Sequence, residues 1–218
     1  QVKASSTNSG TLTVRFYGRL ALKPGPDFML AALPDSQNYS SSLNGGTPAM
    51  FAAQTSWIAT NRAASNFVYV AHLGDIVNYG DTNRGWGVEE LAAWRNATNA
   101  LYKLEVPATT GLSNGIPYGA AVGNHDQSPN GDPDGTTRYY NQFFGVSHFT
   151  SRPYYGGHYG TNNDNHFDLF SASGLDFIVV YMEYDLAANP LVLNWANSLL
   201  HTYSNRQAIV VSHYIGRP

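Results

Sequence analysis

The sequence predicts an α/β layered domain on three observations. Apolar segments of strand length alternate with longer segments of helical period, which is the pattern of a sheet covered by helices. Hydrophobic residues make up 43% of the 218, enough for a real core, while charged residues make up only 12%, about half the usual share. Polarity rests instead on neutral side chains: 20 Asn stand beside 21 Gly and 15 Tyr, a composition of turns and hydrogen bonds that argues against Glu/Lys-rich helical repeats and coiled coils.

The elements follow in order. Residues 11–16 (TLTVRF) alternate as a strand, and Pro24-Gly25-Pro26 then interrupts, so residues 1–26 read as the end of a preceding module and a linker. Residues 28–33 (FMLAAL) form a buried-strand candidate. Thr47 at N-cap with Pro48 at N1 opens a helix to about residue 65, with Phe51, Ile58, Met50 and Trp57 on its apolar face. Residues 67–72 (FVYVAH) are the next strand, and residues 88–104 a helix with Leu91, Trp94, Thr98 and Leu101 at helical spacing. Residues 116–122 (IPYGAAV) return as a strand, and a short aromatic helix lies near 139–144. Residues 166–172 and 175–182 form a hairpin about Ser173-Gly174. Asn189-Pro190 caps a helix to about Tyr203, and residues 208–213 (AIVVSH) are the last strand.

Several function classes are excluded by composition. Net charge is −3 and the 12 Lys and Arg are scattered singly, so no basic stripe exists for duplex nucleic acid. Without Cys there is no disulfide scaffold, thiolate metal site or cysteine nucleophile. No apolar run reaches 18 residues, so no membrane span is expected. Few Lys and many Asn, Ser, Thr and Tyr suggest a bacterial-style secreted or periplasmic protein.

The chemistry collects at one kind of place. Asp35, Asp75, Asn124, His125 and His213 all fall just past the C-terminal ends of predicted strands, the edge where open α/β sheets bind ligands. Carboxylates, an amide oxygen and an imidazole suit hard to borderline divalent cations such as Mn, Fe or Zn. The run Gly123-Asn124-His125-Asp126 is the most specific signal, since residue frequencies give roughly three chance occurrences per thousand chains of this length.

These residues, in this order, resemble the calcineurin-like metallophosphoesterases. That superfamily's pattern runs D-x-H, G-D-x-x, G-N-H-D or G-N-H-E, an isolated His after a strand, then G-H-x-H. The matches are Asp35-Ser36-Gln37, Gly74-Asp75-Ile76-Val77, Gly123-Asn124-His125-Asp126 and Val211-Ser212-His213, spanning residues 28 to 213. The resemblance implies a four-layer αββα sandwich of two mixed sheets, and a dinuclear centre of two divalent metal ions that hydrolyses small phosphate mono- or diesters. It implies that Asp75 bridges the metals, Asp35 holds one, and Asn124 and His213 hold the other. His125 becomes the general acid, oriented by Asp126, and the Asn124 NH2 faces a phosphoryl oxygen. Gln37 stands where most members have His, exchanging a nitrogen ligand for a neutral amide oxygen or for no ligand at all, which makes one site weaker or more oxygen-rich. No G-H-x-H follows His213, so the reading is of a metallophosphoesterase domain over 27–218 whose C-terminal part is missing.

Other features are read as structural. His72, His148, His158, His166 and His201 lack motifs around them, and Tyr154, Tyr155 and Tyr159 are read as packing rather than a substrate wall. Residues 130–135 (NGDPDG) begin like a calcium loop, but Asn141 occupies the position that needs a bidentate Glu, so a turn-rich loop is expected. Two alternatives stand beside the phosphoesterase: a non-catalytic remnant acting as a binding module, and an extracellular carbohydrate-binding module suggested by Asn, Gly and Tyr richness.

Overall fold

Two sheets, each covered on its outer face by helices, organise the chain; the computed structural model describes residues 25–81 and 88–214. The first part runs β1 (Met29–Leu33), α1 (Gln37–Ser40), α2 (Pro48–Thr60), α3 (Arg62–Ser65), β2 (Phe67–His72), α4 (Val88–Leu101), α5 (Pro107–Thr110) and β3 (Tyr118–Ala120). The second runs α6 (Arg138–Phe144), α7 (Val146–Phe149), β4 (Tyr155–His158), β5 (His166–Ala172), β6 (Leu175–Met182), α8 (Pro190–Thr202) and β7 (Gln207–Ser212). The alternating segment at 11–16 lies outside the described residues.

Strands β1, β2 and β3 form a parallel sheet in that order, each joined to the next by a helical crossover. The second sheet has the order β4-β5-β6-β7, antiparallel except for the β6–β7 pair, which α8 connects. Three apolar clusters define the layers. Phe51 and Ile58 of α2, Trp94 and Leu101 of α4, and Val70 and Tyr118 pack between helices and the first sheet. Tyr69, Phe170, Phe177, Val179 and Val211 pack between the sheets. Phe167, Ile178 and Val180 meet Ala196 and Trp195 of α8 outside the second sheet. The order helix, sheet, sheet, helix is the expected αββα arrangement.

Local chemistry fixes the ends. The Thr47 side chain accepts from Met50 N with Pro48 at N1, and Asn189 accepts from Leu191 N at the start of α8. Ser173 and Gly174, both at positive φ, turn the β5–β6 hairpin.

Four expectations are corrected. Met50 and Trp57 are 49% and 57% exposed, because the buried face of α2 follows Phe51, Thr55, Ile58 and Ala59, and each exposed residue sits one position before a buried one. The helix from Pro48 breaks at Asn61, whose side chain and backbone both return to Trp57 O. The helix from Val88 gives way after Leu101 to a 3-10 turn over Tyr102–Glu105. Strand β3 covers only three residues, since Ile116 N is taken by Leu104 O rather than by a neighbouring strand.

Candidate active site

Strand register brings the polar residues to one edge. Leu33 pairs with His72, and His72 with Ala120, so the loops carrying Asp35, Gly74-Asp75 and Gly123-Asn124 leave the first sheet side by side. Met182 pairs with Ser212, so β6 and β7 also end together. The two sheets meet where His213 Nε2 lies 3.1 Å from Asp75 Oδ2 and Tyr184 N donates to Val122 O.

Asp75 is the hub. It is 3% exposed and takes φ +51, a left-handed conformation that Asp tolerates, following Gly74 at φ +97. A Cβ on Gly74 would lie 2.8 Å from His213 Cβ, and one on Gly123 would overlap Asp75 Oδ1, so both glycines admit close approach, and Gly74 also turns the chain. Asp75 O accepts from Ser36 N, and Asp75 Oδ1 accepts from His125 N at 2.9 Å. The Asp75 hydrogen bond and charge raise the His213 imidazole to about 9, against its partial burial.

Each remaining residue has a defined posture. His213 Nδ1 lies 3.0 Å from Leu73 O, so its N–H donates there and Nε2 turns toward Asp75. This is how a histidine metal ligand is normally held, with the second nitrogen bound to a backbone carbonyl. Asn124 Nδ2 donates to Asn130 Oδ1 at 3.2 Å, leaving its carbonyl oxygen without a partner among the described residues. Gln37 N and Nε2 both donate to the Asp35 carboxylate, at 2.9 and 3.0 Å, while Gln37 Oε1 is buried and without a partner among the described residues. Among the described residues no three Asp, Glu or His side chains converge to hold a metal. Asp75 and His213 form the charged pair at this edge, while the Asp35 and Gln37 side chains pair with each other. In kind, these carboxylate, amide and imidazole groups suit a divalent cation.

His125 Nδ1 lies 2.9 Å from Asn78 O, so its N–H donates there and the ring orientation is fixed. The expected orienting role of Asp126 is therefore corrected. Fully buried, Asp126 accepts from Ile76 N, Val77 N and Gly123 N, tying the Gly-Asp loop to the Gly-Asn-His-Asp loop. Burial and the Asp75 charge push its carboxyl up to about 8, against the pull of these amides. The expected posture of the Asn124 NH2 is also changed, since Asn130 takes one of its hydrogens.

His72 is structural, as expected. Gly74 N donates to its Nδ1, so Nε2–H donates to Ser36 Oγ, and Ser36 donates onward to Ile76 O. Burial lowers this imidazole to about 3 and keeps it neutral. Asn141 donates to Asp164 and Thr137, which spends it outside any calcium loop. Sequence reasoning missed Asn78, which acts through a backbone carbonyl that no side-chain motif encodes, and Tyr184, whose ring centroid lies 6.2 Å from that of His213.

A two-sheet αββα sandwich with Asp75 and His213 paired at its strand ends is the architecture expected of the metallophosphoesterases. The chain belongs to the calcineurin-like phosphoesterase family, whose model matches residues 35–215. It is 34% identical over 181 residues to the uncharacterized protein YvnB of Bacillus subtilis (strain 168), a match covering 83% of this chain and 12% of that protein. The chain thus spans about an eighth of that relative's length. Among the described residues no helix is long and apolar enough to cross a membrane.

Proposed function

We propose that the chain is a secreted or periplasmic, metal-dependent hydrolase of small phosphate mono- or diesters, with its centre at Asp75. The observation that carries this is the pairing of His213 Nε2 with Asp75 Oδ2 at 3.1 Å across the two sheets, with His213 Nδ1 already held by Leu73 O. Asp75, Asp35, Asn124 and His213 would hold two divalent cations, with Gln37 contributing through Oε1. Bound cations would supply charge neutralisation for phosphoryl oxygens and an activated water. Asn124 offers its carbonyl oxygen, and its second amide hydrogen remains for the substrate. His125, anchored at Asn78 O, presents Nε2 to protonate the leaving oxygen.

Calorimetric titration with Mn or Zn tests the centre. Two sites, both lost in Asp75→Ala, support it. A second reading, a binding module without catalysis, is favoured by the absence of three converging Asp, Glu or His side chains among the described residues. No site, or one weak site, would favour that reading.

A further inference from the structure

A cavity of about 320 Å3 opens beside the candidate centre, between the C-terminal ends of β6 and β7 and the first turn of α8. Tyr214, next to His213, stands at one side. Met182 and Val192 make an apolar wall, and Asp134, Glu183 and Asp185 bring carboxylates. Among the described residues no Lys, Arg or His lines it. Glu183 is held in place by neutral groups: Oε1 accepts from Asn165 Nδ2 at 2.6 Å, Oε2 accepts from Gln127 Nε2 at 3.3 Å, and its own N–H donates to Asn165 Oδ1 at 3.1 Å. Its carboxylate is pre-positioned and lacks a counter-charge among these partners. Burial, with Asp164 and Asp185 nearby, pushes it up to about 7, as expected for a negative charge with no cation beside it. Gln127, 1% exposed, stands between this cavity and a smaller one beside His125; its Oε1 has no partner among the described residues.

These features select a ligand class. The carboxylates of Asp134 and Asp185 repel an anionic group and attract a cation, whose arrival would draw the Glu183 carboxyl into its charged form. The space is far larger than a bare metal ion needs, and its apolar wall and Tyr214 ring suit a cation clothed in methyl or methylene groups. We propose that this cavity binds the organic part of a phosphate ester that carries an alkylammonium group. The proposal rests on the phosphoesterase reading, because Ser212 and Tyr214, which line the cavity, flank His213 in the chain.

Two measurements on the full chain separate the claims. The first is NMR titration of the metal-free protein with choline and with its neutral isostere 3,3-dimethylbutan-1-ol. Choline should shift the amides of Glu183, Asp185 and Tyr214 saturably, and bind at least about tenfold more tightly than the isostere. Asp134→Asn, at an exposed position, and Glu183→Gln should each weaken choline by about five- to twentyfold. The second is hydrolysis of p-nitrophenyl phosphorylcholine against bis(p-nitrophenyl) phosphate in the presence of Mn. The choline ester should have the higher kcat/KM, and both variants should lower that preference. Equal binding of choline and its isostere, or turnover of the bis ester with no choline preference, overturns the cavity proposal and leaves the phosphoesterase reading intact. If neither ester is hydrolysed, the phosphoesterase reading fails, while selective choline binding would still support the ammonium site.

Discussion

At the scale of single residues, the Asp75–His213 contact links protonation to stability and, on the proposed function, to metal binding. In the metal-free chain His213 is raised to about 9 from its ordinary 6.5, chiefly by the Asp75 hydrogen bond. A histidine raised on folding contributes stability that is complete below about 6.5 and is lost as pH climbs through about 9. Metal ligation needs the neutral imidazole, so affinity changes in the opposite sense over the same window. The urea midpoint of metal-free protein should therefore fall between pH 6.5 and 9 while Mn affinity rises, and His213→Gln should flatten both curves. Asp126 makes a different prediction. Asp126→Ala strands the buried amides of Ile76, Val77 and Gly123 and should cost about 3–5 kcal/mol in denaturant unfolding. Asp126→Asn keeps one acceptor oxygen and should cost less. The sequence pointed to these residue types, because strand ends and the Gly-Asn-His-Asp run are visible in one dimension. Their partners were not legible: that Asp126 grips backbone amides and Asn78 O orients His125 depends on how two loops distant in sequence fold against each other.

At the scale of elements, reading succeeded where chemistry is local. Thr47-Pro48, Asn189-Pro190 and Ser173-Gly174 carry their signals within a few residues, and α2, α8 and the hairpin begin or turn there. Asn189→Ala should cost about 1 kcal/mol, measured by thermal or urea unfolding, because Leu191 N loses its acceptor. Reading failed where burial is decided by other elements. Met50 and Trp57 look apolar enough for a core, yet the sheet meets the neighbouring face of α2. Strand β3 is shortened by the 3-10 turn that claims Ile116 N, a contact that 3.6-residue periodicity does not encode. Gly119 shows a similar constraint: a Cβ there would lie 2.5 Å from Tyr181 Cε2 and 2.9 Å from Asp168 Oδ2. Gly119→Ala should therefore destabilise by about 1–3 kcal/mol through overpacking between the sheets.

At the scale of the whole molecule, the layers aim both sheets at one site. Residues 178–181 of β6 are fully buried, with α8 on one face and the first sheet on the other, and the parallel β6–β7 pair carries His213 to the loop after β2. Amide exchange should be slowest in β6 and β2 and fast in the exposed turn at Pro129-Asn130, as checked by exchange mass spectrometry. The alternation of strands and helices made the class of fold legible, but the meeting of two sheet edges was not, because no local pattern records which sheet a strand joins. That meeting brings His213 onto Asp75, on which the proposed centre depends. Its most direct test is the hydrolysis of bis(p-nitrophenyl) phosphate at neutral pH, with Mn and with chelator, by the native chain and by Asp75→Ala. Turnover that requires metal and falls at least about 100-fold in Asp75→Ala is the expected result; turnover unaffected by chelator, or retained by Asp75→Ala, would contradict it.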